Sequence, residues 1–168
     1  MSDAATFRRD TLTPGAAWCL ALPGWTPPFD ARANVLLTVI AGQESGWTAR
    51  VQGGPVPAAH GFFQFERMGG VNGVLTHPAS KDLAAEACRT MFVAPDAAHA
   101  WAVMATEHGD NLAVAFARLL LWTDPASLPA VGDEDAAWDY YVGLWRPGKP
   151  SRERWSVVYP QAVAATLA

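Results

Sequence analysis

Residues 30–47 read Asp30-Ala31-Arg32-Ala33-Asn34-Val35-Leu36-Leu37-Thr38-Val39-Ile40-Ala41-Gly42-Gln43-Glu44-Ser45-Gly46-Trp47. Asp30 is a good N-cap, able to accept from the orphan N–H groups of a first helical turn. Val35, Leu36, Leu37, Val39 and Ile40 then place apolar side chains on almost every side of a helical repeat. A surface helix carries one apolar stripe, whereas a helix apolar all round is buried. The stretch predicts a central buried helix running from the Asp30 cap to about Gln43, with a carboxylate at its end. Glu44 is then either a solvated terminal acid or a functional one. Burial raises a carboxyl pKa, and so does the negative end of a helix dipole. A carboxyl kept protonated near neutral pH is what a general acid needs to protonate a glycosidic oxygen.

The chain after Glu44 bears on that choice. Residues 45–67 are rich in Gly and Pro and end in Gly61-Phe62-Phe63-Gln64-Phe65-Glu66, which reads as a short extended segment. Gly61 allows close backbone approach to a ligand, and Gln64 offers a two-sided amide to a sugar or N-acetyl group. Glu44-Ser45 followed by Ala59-His60-Gly61-Phe62-Phe63-Gln64 resembles the E-S … G-A-x-G-L-M-Q signature of lytic transglycosylases and goose-type lysozymes in the lysozyme superfamily. The resemblance implies a mostly α, lysozyme-like fold with a small β lobe beneath a sugar groove. Glu44 matches that family's acid and Gln64 its groove glutamine. The match covers residues 36–66, and the family's later A-Y-N-A-G helix is only loosely echoed at Ala113-Val114-Ala115-Phe116-Ala117-Arg118.

Glu66 stands where goose-type lysozymes carry Asp, and the Glu44–Glu66 spacing resembles the glutamate pair of plant-type chitinases. An inverting glycosidase needs a second carboxylate roughly 6.5–9.5 Å from the acid, with water between them. Glu66 either positions that water or pairs with Arg67 or another surface base. Ser45, Trp47, Gly61, Phe62, Gln64 and Tyr141 complete the expected substrate-binding set. Trp47, Tyr140 and Tyr141 are candidates for stacking on sugar or for core packing. His60 is either a surface side chain or a substrate contact. Arg118, in an apolar run, is expected to snorkel or to pair with a core carboxylate.

Start signals place further helices at about 79–92, 95–107, 111–122, 134–145 and 151–167. Residues 1–29, with Pro14, Pro23, Pro27 and Pro28, read as an irregular lead-in packed through Trp18, Leu20 and Trp25. Residues 1–168 thus form one domain.

Composition narrows the function classes. A net charge of −4 gives no general attraction to nucleic acid or anionic lipid. A local basic cluster, Arg146, Lys149, Arg152 and Arg154, either meets an acidic substrate or forms a solvated turn. Eight Trp fill the core or stack on sugars. Cys19 and Cys88 fit no metal pattern, and reduced buried thiols are expected rather than a bridge. His77, His99 and His108 share no ligand spacing, and neither metal nor organic cofactor is expected. The polar start Met1–Asp10 has no secretory pattern, and the apolar runs are too short to insert stably in a bilayer.

The run from Trp138-Asp139-Tyr140-Tyr141 to Trp155 is similar to segments of lysozyme-like proteins of bacteriophages and prophages. Such an origin implies synthesis in the bacterial cytoplasm and action on the wall, by holin-dependent release or with phage tail proteins. The resemblance as a whole implies a peptidoglycan-degrading muramidase acting on glycan strands. A lytic transglycosylase, a chitinase, an inactive virion or glycan-binding protein and an effector against competing bacteria are the alternatives.

Overall fold

A computed structural model describes residues 3–168; Met1 and Ser2 of the polar start lie outside it. The Asp3 side chain accepts from the Thr6 N–H at 2.8 Å and opens helix α1 (Ala4–Phe7). A π-helical turn (Arg8–Leu12) leads directly into α2 (Thr13–Leu20). The irregular lead-in expected over 1–29 is therefore corrected: it is helical from Ala4 to Leu20. The prolines explain why. Pro14 lies in the first turn of α2, and the preceding turn is widened so that the Thr13 N–H reaches the Arg8 carbonyl, five residues back. A missing N–H and a bulky ring are tolerated there. Pro23, Pro27 and Pro28 all follow α2. Leu20, expected to pack, is 60% exposed, and Cys19 and Leu22 are buried instead.

Asp30 caps α3 (Ala31–Ser45) by accepting from the Ala33 N–H at 2.9 Å. Eleven of the fifteen residues of α3 are buried, as its continuous apolar pattern requires. Gly46, at φ 61°, ends it in the left-handed conformation glycine adopts most readily.

A small antiparallel sheet follows. Strand β1 (Ala59–His60) pairs with β2 (Phe65–Glu66) in the register Ala59↔Glu66 and His60↔Phe65, and Val51 bridges to His60. Beyond it come a π-helical turn (Arg67–Val71), α4 (Asn72–Thr76), α5 (Lys81–Thr90) and α6 (Ala97–Val103). The helix expected to reach residue 107 stops at Val103. Gly109 packs so tightly on that end that a Cβ there would meet the Val103 carbonyl oxygen at 2.1 Å. Then come α7 (Asp110–Thr123), α8 (Glu134–Trp145) and α9 (Arg152–Leu167), the last two capped by Asp133 and Ser151.

Among the described residues the fold is thus mostly helical with one two-stranded sheet. Helix α9 packs extensively along α3, and α7 packs on α2 and α5. The core is continuous from Phe7 through α3 and α7 to Trp155. Arg118, 3% exposed, donates from Nε to the Pro28 carbonyl at 2.8 Å and lies over Trp122. Both cysteines are free and buried; burial pushes the Cys88 thiol up to about 11. Among the described residues no helix is long and apolar enough to cross a membrane.

Candidate active site

Glu44 occupies the last turn of α3, where the helix leaves the core and enters the wall of a groove of about 1050 Å³. The groove is lined by the C-terminal end of α3 and the loop after it, the β1–β2 hairpin with the turn that follows, and the end of α8 with the turn into α9, together with Leu120 of α7. The Tyr141 hydroxyl, projecting from α8, donates to Glu44 Oε1 at 2.6 Å. Burial raises the Glu44 pKa above the ordinary carboxylate range, against the opposing pull of the Tyr141 hydrogen bond and the Arg154 charge. The first effect disfavours the ionised form, while a donor and a cation favour it. The Tyr141 hydroxyl itself is pushed up by burial and by the facing carboxylate.

Glu66 is exposed on β2 and borders the same groove. Among the described residues it has no basic partner within ion-pair distance, and Arg67 does not pair with it. Gln64, at φ 49°, closes the hairpin turn by donating from Nε2 to the Gly61 carbonyl at 2.8 Å. Its amide nitrogen is thereby engaged within the turn. Ser45 borders the groove but donates its hydroxyl back to the Ala41 carbonyl at 2.8 Å.

Three of the expected binding residues lie away from the groove. Trp47 folds back on α3: it is 6% exposed, its indole N–H donates to the Thr38 carbonyl at 2.8 Å, and its ring fills the space beside Gly42. A positive φ of 59° at Trp47 turns the side chain inward. Gly61, at φ 77°, lets the hairpin approach Met104 and Ala113 rather than a ligand. Phe62 is buried, edge-on to Phe7 at 5.3 Å and beneath the Arg50 guanidinium at 4.7 Å. Each of the three packs within the protein instead: Trp47 on α3, Gly61 against Met104 and Ala113, and Phe62 on Phe7. Tyr140 likewise faces inward, donating to the Leu121 carbonyl at 3.3 Å.

Several contacts fix the hairpin. Arg50 makes two bonds of 2.8 Å to the Asp110 carboxylate at the start of α7, a paired geometry stronger than a single point contact. The Trp101 indole donates to the Phe65 carbonyl at 2.9 Å, and the Trp145 indole donates to that of Phe63 at 3.2 Å. His60 stacks on Trp101 at 3.6 Å and donates from Nδ1 to its carbonyl at 2.9 Å, so its ring is held by protein.

Sequence reasoning missed Gln43 and Trp145 as groove residues. Gln43 is 6% exposed, and its buried Oε1 has no hydrogen-bond partner among the described residues. A large polar side chain directly beside Glu44, at the end of the apolar run, was the available signal. The basic cluster noted in the sequence divides. Arg146, Lys149 and Arg154 line the groove, whereas Arg152 turns away to pair with Glu134 and Asp135. Among the described residues no group of three His, Cys, Asp or Glu is placed to hold a metal. The groove therefore combines a half-buried carboxyl of raised pKa with an exposed second carboxyl. Such a pair is suited to acid-assisted cleavage of a polar bond. Comparison with family models, with curated proteins and with solved structures gives no match to this chain.

Proposed function

We propose that this chain is a lysozyme-like muramidase, cleaving the β-1,4 bond between N-acetylmuramic acid and N-acetylglucosamine in peptidoglycan. The observation that carries the proposal is Glu44. It is a carboxyl with a raised pKa at the end of a buried helix, opening onto a groove that a second carboxyl, Glu66, also borders. The groove, about 1050 Å³, lies at the upper end of the range of ligand-binding clefts and has room for a sugar and its substituents. The resemblance of Glu44-Ser45 and Gly61-Phe62-Phe63-Gln64 to the transglycosylase and goose-type signature supports the same assignment.

In this mechanism Glu44 protonates the leaving glycosidic oxygen as the bond breaks, and Glu66 takes a proton from the attacking water on the opposite side of the ring. Glu44 ends ionised and Glu66 protonated; exchange with solvent restores both. The Tyr141 hydroxyl and Arg154 receive the negative charge that develops on Glu44. Zymography on purified cell walls, followed by mass spectrometry of the products, tests the assignment. Reducing-end muramic acid is expected. Chiefly 1,6-anhydromuramyl products would instead identify a lytic transglycosylase, and no turnover would leave a glycan-binding protein.

A further inference from the structure

The groove carries the opposite charge balance from the protein. In a chain of net charge −4, its lining holds Arg146, Lys149 and Arg154 against two carboxylates, Glu44 and Glu66. Among the described residues none of the three cations lies within ion-pair distance of a carboxylate. Arg152, between them in sequence, reaches Glu134 and Asp135, so acidic partners are available on this side of the molecule. Like charges around one cavity repel, and among the described residues no ion pair neutralises any of the three.

The backbone holds these cations in place. Arg146 ends α8 in a left-handed conformation, φ 51°, where glycine is the favoured residue. Pro147 and Pro150 bracket Gly148-Lys149 and limit how far the turn can collapse. Arg154 stands apart in role. Its guanidinium rests against Gly46, where a Cβ would meet Nη2 at 3.1 Å, and its charge acts on Glu44. Arg146 and Lys149 are left facing the groove with no internal task.

From this arrangement we infer that Arg146 and Lys149 form a subsite for a carboxylate-bearing substituent of the glycan. On a peptidoglycan strand these are the carboxylates of the peptide attached to the lactyl arm of muramic acid. The inference rests on the muramidase assignment and deepens it: the substrate is an acidic, peptide-substituted strand rather than a neutral one.

The test uses full-length Glu44→Gln protein, which should bind without cleaving, and soluble peptide-bearing glycan strands. One portion of the strands keeps its carboxylates; in the other they are converted to neutral amides, leaving shape nearly unchanged. Native strands should bind about tenfold more tightly than amidated ones, a gap that added salt narrows. In Arg146→Gln/Lys149→Gln the preference should collapse to near unity, and Arg146→Lys/Lys149→Arg should recover much of it. Lys149→Gln alone, in an exposed turn, should show a partial loss, which separates the effect from misfolding. Equal binding of both strand types overturns the subsite and leaves the muramidase assignment standing. Binding of neither overturns that assignment and the subsite with it.

Discussion

The Tyr141 hydroxyl donates to Glu44 Oε1 at 2.6 Å across 97 residues of sequence. It ties the end of α8 to the end of α3 and gives the candidate acid its only hydrogen-bond donor among the described residues. Because the donor favours ionised Glu44, it works against burial. Tyr141→Phe should therefore raise the Glu44 pKa further. The alkaline limb of kcat/KM against pH, where the acid loses its proton, should move to higher pH. A pH profile measured on solubilised peptidoglycan checks this, and an unmoved limb would separate Tyr141 from the acid.

Glu44→Gln keeps the shape of the side chain and removes its proton. Turnover should fall by at least about 100-fold, the usual contribution of a general acid, while the fold persists. Stability should respond as well. A carboxyl whose native pKa is raised contributes stability that is fully present below its unfolded value and is lost as pH rises through the native one. The variant should accordingly be more stable than the parent at pH 7, and the gain should vanish in acid. Thermal melts at several pH values decide it.

Glu66 separates hydrolysis from transglycosylation. Bulk water must be held and deprotonated, whereas a muramyl 6-hydroxyl is already tethered to the reacting sugar. Glu66→Gln should lose hydrolytic activity and retain its circular dichroism spectrum and its binding to glycan. Unchanged hydrolysis would return Glu66 to the role of a surface carboxylate.

Arg50 and Asp110 are partly buried and doubly bonded, 60 residues apart in sequence. Asp110→Ala should lower the unfolding free energy by about 2 kcal/mol, between the values for surface and buried pairs. Arg50→Ala/Asp110→Ala should lose less than the sum of the single changes, because neither partner is left unpaired. Urea denaturation of the four proteins gives the coupling.

Gln43 buries an oxygen with no partner among the described residues. Gln43→Met, similar in volume, should raise the unfolding free energy by about 1 kcal/mol. A fall in the urea midpoint would mean that a donor reaches Oε1 in solution.

Much of the helical framework was legible from the chain alone, because a helix start is decided within one turn. Asp30, Asp96, Asp133 and Ser151 each accept from a backbone N–H three residues on, and α3 declared its burial through apolar residues on almost every side. The first helices were not legible. Four prolines suggested irregular chain, yet Pro14 falls in a helix's first turn, and only the π-turn before it reveals that the backbone accommodates the ring. The site was read in part, since Glu44 and Glu66 are marked by position and type. Which neighbours face the groove was decided by tertiary packing. Trp47 reads as a candidate for sugar stacking and Phe62 as a binding position in a Gly-rich segment, but Trp47 is buried against α3 and Phe62 against Phe7. Tyr141, Arg146 and Lys149 reach Glu44's groove because α9 packs along α3 and α8 packs on α9. Caps and periodicity are properties of a few consecutive residues; the setting of an acid is a property of whatever the whole chain folds around it.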